Sequence, residues 1–116
     1  MRSNFDSLYN YSTAQDLKTL IMTTQKLSVF ADLGRRTEYD FTGVSDKTYT
    51  TTSTNVLLKN HSDIQAIKTG YTDGAKGAMA TKINVHGHDV VILVLDSQNR
   101  ESDTLKLKSL LEESFN

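Results

Sequence analysis

Lys68, Thr69 and Gly70 place a cation, a hydroxyl and a residue without a side chain in consecutive positions. They lie within Ile64 to Thr72, a stretch whose residue types predict a strand. That combination suits acyl transfer from a peptide substrate. The Lys68 ammonium offers charge to a substrate carboxylate and can polarise a neighbouring serine hydroxyl. The Thr69 hydroxyl can donate to a terminal carboxylate, a charge-assisted bond worth roughly 1.5–3 kcal/mol. Gly70 lets a substrate backbone lie close against the strand. The Tyr71 N–H is placed to act as one oxyanion donor, a contribution of roughly 2.7–4 kcal/mol where such donors have been removed. In a regular strand Lys68 and Gly70 share one face and Thr69 takes the other. The tripeptide by itself is a short word, and it equally describes an ordinary strand end with a basic residue and a turn glycine.

A serine acyl transferase also needs a nucleophile and a base. No serine in the chain is followed by a lysine three positions later, so the Ser-x-x-Lys arrangement that supplies both is missing. Ser53-Thr54-Asn55 spells Ser-x-Asn, but it falls in a hairpin passage. It reads as coincidence, with Asn55 serving as a structural anchor. His86 and His88 would share a strand face as metal ligands, yet Gly87 between them marks a turn and no third ligand converges on them. His61, in a polar loop, reads as solvated. No metal or other cofactor is expected, and without a phosphate-binding glycine loop nucleotide binding has no support.

The chain has 116 residues, one domain's length or less, with 37% hydrophobic residues and no cysteine. Thirteen basic and fourteen acidic residues leave a net charge of −1, which gives no long-range attraction for nucleic acid or an anionic membrane. The longest apolar run, Val90 to Leu95, is far short of a membrane span. The first residues, Met1 to Asp6, lack the apolar core of a signal peptide.

Around the tripeptide, residues 1–11 read as an ordered lead-in loop. Ser12 to Gln15 fits a capping box ahead of an amphipathic helix over 13–25, with Leu17, Leu20, Ile21 and Thr24 at helical spacing. Ser28 is expected to cap a second helix that stops at Gly34. A hairpin follows, its arms carrying Thr37, Tyr39 and Phe41 and then Lys47 to Thr54, joined by a turn over Gly43 to Asp46. Asn55 to Leu58 is an apolar anchor before a polar loop. Strands are expected over Ile64–Thr72, Ala78–Val85 and Asp89–Asp96, with His86 to His88 connecting the last two. Ser102-Asp103 is expected to cap a final helix that clusters Leu105, Leu107, Leu110, Leu111 and Phe115, with Lys106, Lys108, Glu112 and Glu113 on a solvated side. The order predicts an α+β fold with an antiparallel sheet flanked by helices.

The stretch Ile64-Gln65-Ala66-Ile67-Lys68-Thr69-Gly70-Tyr71-Thr72-Asp73, with Ala75 and Gly77 after it, closely resembles the Lys-Thr-Gly region of low-molecular-mass penicillin-binding D-alanyl-D-alanine carboxypeptidases, peptidase family S11. Tyr11 to Leu17 is similar to the helix start that follows that family's Ser-x-Asn motif. Glu38-Tyr39-Asp40-Phe41 and Thr54-Asn55 with Leu57-Leu58 resemble its connecting hairpin and anchor. Arg100-Glu101 and the leucine-rich helix resemble its last strand-to-helix passage. The resemblance covers nearly the whole chain in the family's order, although Gly74-Ala75-Lys76-Gly77 runs one residue out of step with the usual turn.

The resemblance implies a partial β-lactamase/transpeptidase-like, penicillin-binding protein fold. It implies removal of the terminal D-Ala from peptidoglycan stem peptides through an acyl-serine, with β-lactams acylating the same serine. Lys68, Thr69 and Gly70 match the third catalytic motif, and Arg100 becomes a candidate for the terminal carboxylate. The expectation is thus the C-terminal part of a catalytic domain, without its nucleophile and inactive by itself, whose complete protein acts outside the cytoplasmic membrane. The alternative expectation is a non-catalytic binding or interaction module, or a pseudoenzyme, that associates through an exposed sheet edge, a homodimer being one form of that association.

Overall fold

The computed structural model describes residues 10–115. Helix α1 spans Ala14–Thr24, α2 Ser28–Gly34, and a hairpin of β1 (Glu38–Thr42) and β2 (Thr48–Thr52) follows. A 3₁₀ turn at Val56–Lys59 leads into β3 (Ile64–Thr72), β4 (Lys76–Val85) and β5 (His88–Ser97), and α3 (Arg100–Ser114) closes the chain. The lead-in loop expected over residues 1–11 lies almost wholly outside the described residues.

Strands β3, β4 and β5 form an antiparallel sheet in that order, while β1 and β2 pair as a separate two-stranded sheet. The three-stranded sheet is covered on both faces. Met79, Thr81, Ile83 and Val85 alternate along β4, and Met79, Ile83 and Val85 join Ile92 and Val94 of β5 in a core against Leu105 and Leu111 of α3. Leu57 and Leu58 of the anchor sit in the same core. Gln65 and its cross-strand neighbour Lys82 turn to the opposite face, where the Gln65 amide donates to Gln25 just beyond α1 at 2.7 Å. Ala78 and Ala80 are buried on that face, and α2 packs against β3 there. The result is α1 and α2, then sheet, then α3, the α+β architecture expected.

Local chemistry moved several boundaries. Thr13, one residue later than the expected cap, accepts the Asp16 N–H at 3.1 Å and starts α1. Ser28 does not cap α2, because Leu27 holds that position without a side-chain bond. Gly34 is still helical and Arg35 ends the helix in right-handed geometry, so the glycine is not a left-handed stop. Its missing side chain serves packing instead: a Cβ there would lie 2.3 Å from the Ala66 carbonyl oxygen. Helix α3 begins at Arg100, two residues before the expected cap, because the Asn99 side chain accepts the Ser102 N–H at 3.0 Å. Strands β4 and β5 run slightly longer than expected, and β4 already begins at Lys76. They are joined by His86-Gly87 with φ values of 48° and 86°, the two left-handed residues of a tight hairpin turn. Among the described residues no helix is long and apolar enough to cross a membrane.

The polar side of α3 is not simply solvated. The Lys108 side chain is only 13% exposed, bonding to the Glu112 carboxylate and lying 3.1 Å from that of Asp63. These partners hold its ammonium above the ordinary lysine range, the Glu112 hydrogen bond contributing most and burial opposing it.

Candidate functional site

The tripeptide lies near the end of β3, past an irregularity the sequence does not reveal. Ala66 pairs with Thr81 and Lys68 with Ala80, so Ile67 is an extra residue bulged out of the ladder. After the bulge the register is regular: Lys68 faces Ala80, Thr69 faces Met79, and Gly70 faces Ala78. Lys68 and Gly70 therefore share the α1–α2 face and Thr69 takes the α3 face. Tyr71, opposite Gly77, is 63% exposed.

Strand β3 hydrogen-bonds to β4 on one side. Among the described residues no strand occupies its other edge. A cleft of about 310 Å³ runs along that side, lined by Phe30 and Leu33 of α2, by Thr54 and Asn55, and by Lys68 and Thr69. The Lys68 ammonium is exposed and donates to the Thr69 carbonyl at 2.9 Å. The Thr69 and Thr54 hydroxyls are hydrogen-bonded to each other.

Arg100 arrives from the opposite edge of the sheet, just past β5, whose Ser97 pairs with Gly77 as Gly77 pairs with Tyr71. Its Nη1 donates to the Gly70 carbonyl at 3.0 Å, and its Nε donates to Glu101 at 2.9 Å. Two of its five N–H donors are thereby used and the guanidinium is fixed beside the strand. Its path crosses Gly77, where a Cβ would lie 3.3 Å from Arg100 Cβ and 2.8 Å from the Ser97 carbonyl oxygen. All the residues singled out by sequence, Lys68, Thr69, Gly70, Tyr71 and Arg100, thus cluster on one strand end.

The neighbouring candidates have local roles. Asn55 is 2% exposed, and its Oδ1 accepts the Leu57 N–H at 3.1 Å, which makes it an anchor as expected. His86 Nε2 lies 3.3 Å from the Glu112 carbonyl oxygen, and the His88 ring stacks on Phe115 at 4.7 Å. Thr54, legible only as part of the anchor passage, and the apolar wall of Phe30 and Leu33 also belong to the site. Thr54 meets Thr69 only through the tertiary fold, and no local pattern announces that contact.

An antiparallel sheet packed between helices, with Lys68-Thr69-Gly70 on its open edge strand, is the arrangement expected of a penicillin-binding, transpeptidase-type fold. The chain belongs to the D-alanyl-D-alanine carboxypeptidase family, peptidase S11, which matches residues 4–99. It is 26% identical over 112 residues to the D-alanyl-D-alanine endopeptidase of Escherichia coli (strain K12), covering 91% of this chain and 36% of that protein. Its structure is similar to the Streptomyces K15 DD-transpeptidase, with a TM-score of 0.78 and 28% identity over 94% of this chain and 46% of that one. It also shares its fold with penicillin-binding protein D2 from Listeria monocytogenes, solved in its cefotaxime-bound form, with a TM-score of 0.73 and 23% identity over 98% of this chain and 45% of that one. The chain spans less than half the length of each of these relatives.

Proposed function

We propose that this chain forms the substrate-binding wall of a serine D,D-peptidase, a D-alanyl-D-alanine carboxypeptidase of peptidoglycan maturation acting outside the cytoplasmic membrane. The observation that carries the reading is that Lys68 and Thr69 line a cleft on the unpaired side of β3 while Arg100 is fixed on the carbonyl of the adjacent Gly70. An open edge can take an extended peptide as an added strand, with main-chain bonds giving affinity. The ammonium, the hydroxyl and the guanidinium then meet the C-terminal carboxylate of a stem peptide ending in D-Ala-D-Ala. Gly70 keeps the substrate backbone close, and the Tyr71 N–H serves the developing oxyanion.

The roles divide in two. In the proposed reaction a serine oxygen attacks the penultimate D-Ala carbonyl, the peptide C–N bond breaks, and D-Ala leaves with a proton; water then cleaves the ester. These 116 residues hold no Ser-x-x-Lys, so this chain binds and a separate segment supplies nucleophile and base. A positioned wall without a nucleophile forms no acyl-enzyme.

A fluorescent penicillin tests both halves. Its anisotropy is expected to rise on titration with the purified chain and to stay flat with Lys68→Ala, while no fluorescence survives denaturing electrophoresis. Stoichiometric covalent labelling would overturn the division of roles, and a flat anisotropy with the unaltered chain would overturn the wall.

The open β3 edge, together with exposed Met22, Leu27, Val29, Phe30 and Leu33 on the helical face, also favours a second reading: a module that self-associates through that edge. Light scattering after size-exclusion chromatography decides it. A monomer at every concentration removes this reading.

A further inference from the structure

Thr54 presents its side chain to that of Thr69, and the segment carrying it is braced on both sides. The Ser53 N–H donates to the Thr37 carbonyl at 2.8 Å. The Asn55 N–H donates to Ser53 Oγ at 3.2 Å, and the Leu57 N–H to Asn55 Oδ1 at 3.1 Å. Asn55 is buried, and Leu57 and Leu58 are locked into the core. Ser53 and Asn55 thus brace the backbone, leaving the Thr54 hydroxyl exposed against the Thr69 hydroxyl at the cleft.

The direction of that hydroxyl–hydroxyl bond matters. A threonine hydroxyl has one proton to donate, and an ionised carboxylate can only accept. If Thr69 spent its proton on Thr54, it would turn a lone pair toward the ligand and repel it. If Thr54 donates instead, Thr69 Oγ1 accepts and its own proton is free for the carboxylate. The bond also restrains the Thr69 χ1 angle, which in threonine otherwise divides between staggered wells.

We propose that Thr54 is a positioning residue for the carboxylate site: it donates to Thr69 Oγ1 and thereby aims the Thr69 proton at the C-terminal carboxylate of a bound peptide. This rests on reading β3 as a carboxylate-binding wall. It assigns Thr54 a part in specificity for a free C-terminus without contact to the ligand.

The test compares the unaltered chain with Thr54→Val, which keeps the shape and removes the hydroxyl, and Thr54→Ser, which restores it. Two readouts are taken on each protein. Three-bond couplings report whether the Thr69 χ1 angle is fixed in the free chain. NMR titration with an N-acetylated peptide ending in D-Ala-D-Ala, and with its C-terminal amide, reports affinity. Thr54→Val is expected to average the Thr69 rotamer and to weaken the acid peptide about fivefold, the scale of one net hydrogen bond. The amide's affinity should stay unchanged, and Thr54→Ser should recover both properties. Unchanged Thr69 couplings in Thr54→Val overturn the proposal whatever the peptide does. Averaged couplings with undiminished acid-peptide binding overturn the specificity role. If Thr54→Val frees Thr69 while even the unaltered chain binds neither peptide, the hydroxyl pair is supported and the carboxylate wall itself falls.

Discussion

Replacing Gly34 with alanine sets two effects of opposite sign against each other. Within a helix, glycine to alanine ordinarily stabilises by roughly 0.5–1 kcal/mol, because alanine has less backbone entropy to lose. Here the new Cβ would lie 2.3 Å from the Ala66 carbonyl oxygen and 2.8 Å from Gln65 Cγ. The first distance is about 1 Å short of ordinary non-bonded contact, and its partner is backbone, so a side-chain rotation cannot relieve it. Overpacking of this kind costs about 1–3 kcal/mol. The steric effect wins, and a net loss of about 1.5 kcal/mol is expected after the helix gain. With a urea slope of about 1–3 kcal/mol per molar, the unfolding midpoint falls by about 0.5–1.5 M. Ala66 borders the bulge that sets the register of Lys68 to Gly70, so the amide resonances of those three residues should shift as well. A Gly34→Ala chain that unfolds at the same or a higher urea concentration, with those resonances unmoved, would refute the packing argument.

Lys108→Met keeps the stem and removes the ammonium between Glu112 and Asp63. Both carboxylates are partly solvated, so the loss should be about 1 kcal/mol in urea unfolding. Because the folded Lys108 pKa is raised above its unfolded value, its contribution is full below the ordinary lysine value near 10.4 and is lost as pH climbs through the folded value. The stability difference between the two proteins should therefore close in strong alkali, and a gap that widens there contradicts the pairing. Asp89 is held below the usual carboxylate range, first by the Asn84 side-chain hydrogen bond and then by Lys82. Stability from this group is present above pH ~3.9 and fades as pH falls through the lower folded value. The carboxyl carbon of Asp89 should titrate lower than an ordinary aspartate, and in Asn84→Ala the midpoint should move back up; no movement would contradict the assignment. Gly77→Ala should push Arg100 Nη1 off the Gly70 carbonyl, seen as a changed Gly70 carbonyl-carbon resonance, and an unmoved resonance would show that the strand has room there.

The elements were legible because their signals are local. Alternation in Thr37, Tyr39 and Phe41, the Val90–Leu95 run and helical spacing in 17–24 each report a period that neighbouring residues enforce. The tripeptide and Arg100 were legible as types, and their meeting follows from a helix that starts at Arg100 itself. What escaped depends on chain segments far apart in sequence. The bulge at Ile67 arises from pairing with β4, the need for glycine at position 34 arises from the approach of β3, and the burial of Lys108 arises from Asp63 on another segment. The cap positions were missed by one residue in α1 and three in α3 because Ser12, Thr13, Ser102 and Asn99 all have capping side chains, and packing rather than composition chooses among them.

The most direct measurement is a titration of the isotope-labelled chain with an N-acetylated peptide ending in D-Ala-D-Ala, followed residue by residue in the amide spectrum. A peptide-binding β3 edge gives shifts concentrated at Lys68 to Tyr71, with the Arg100 side chain moving in the same titration, and loss of all of them in Lys68→Ala. An unperturbed β3 at saturating peptide, or shifts confined to another face of the molecule, would contradict it.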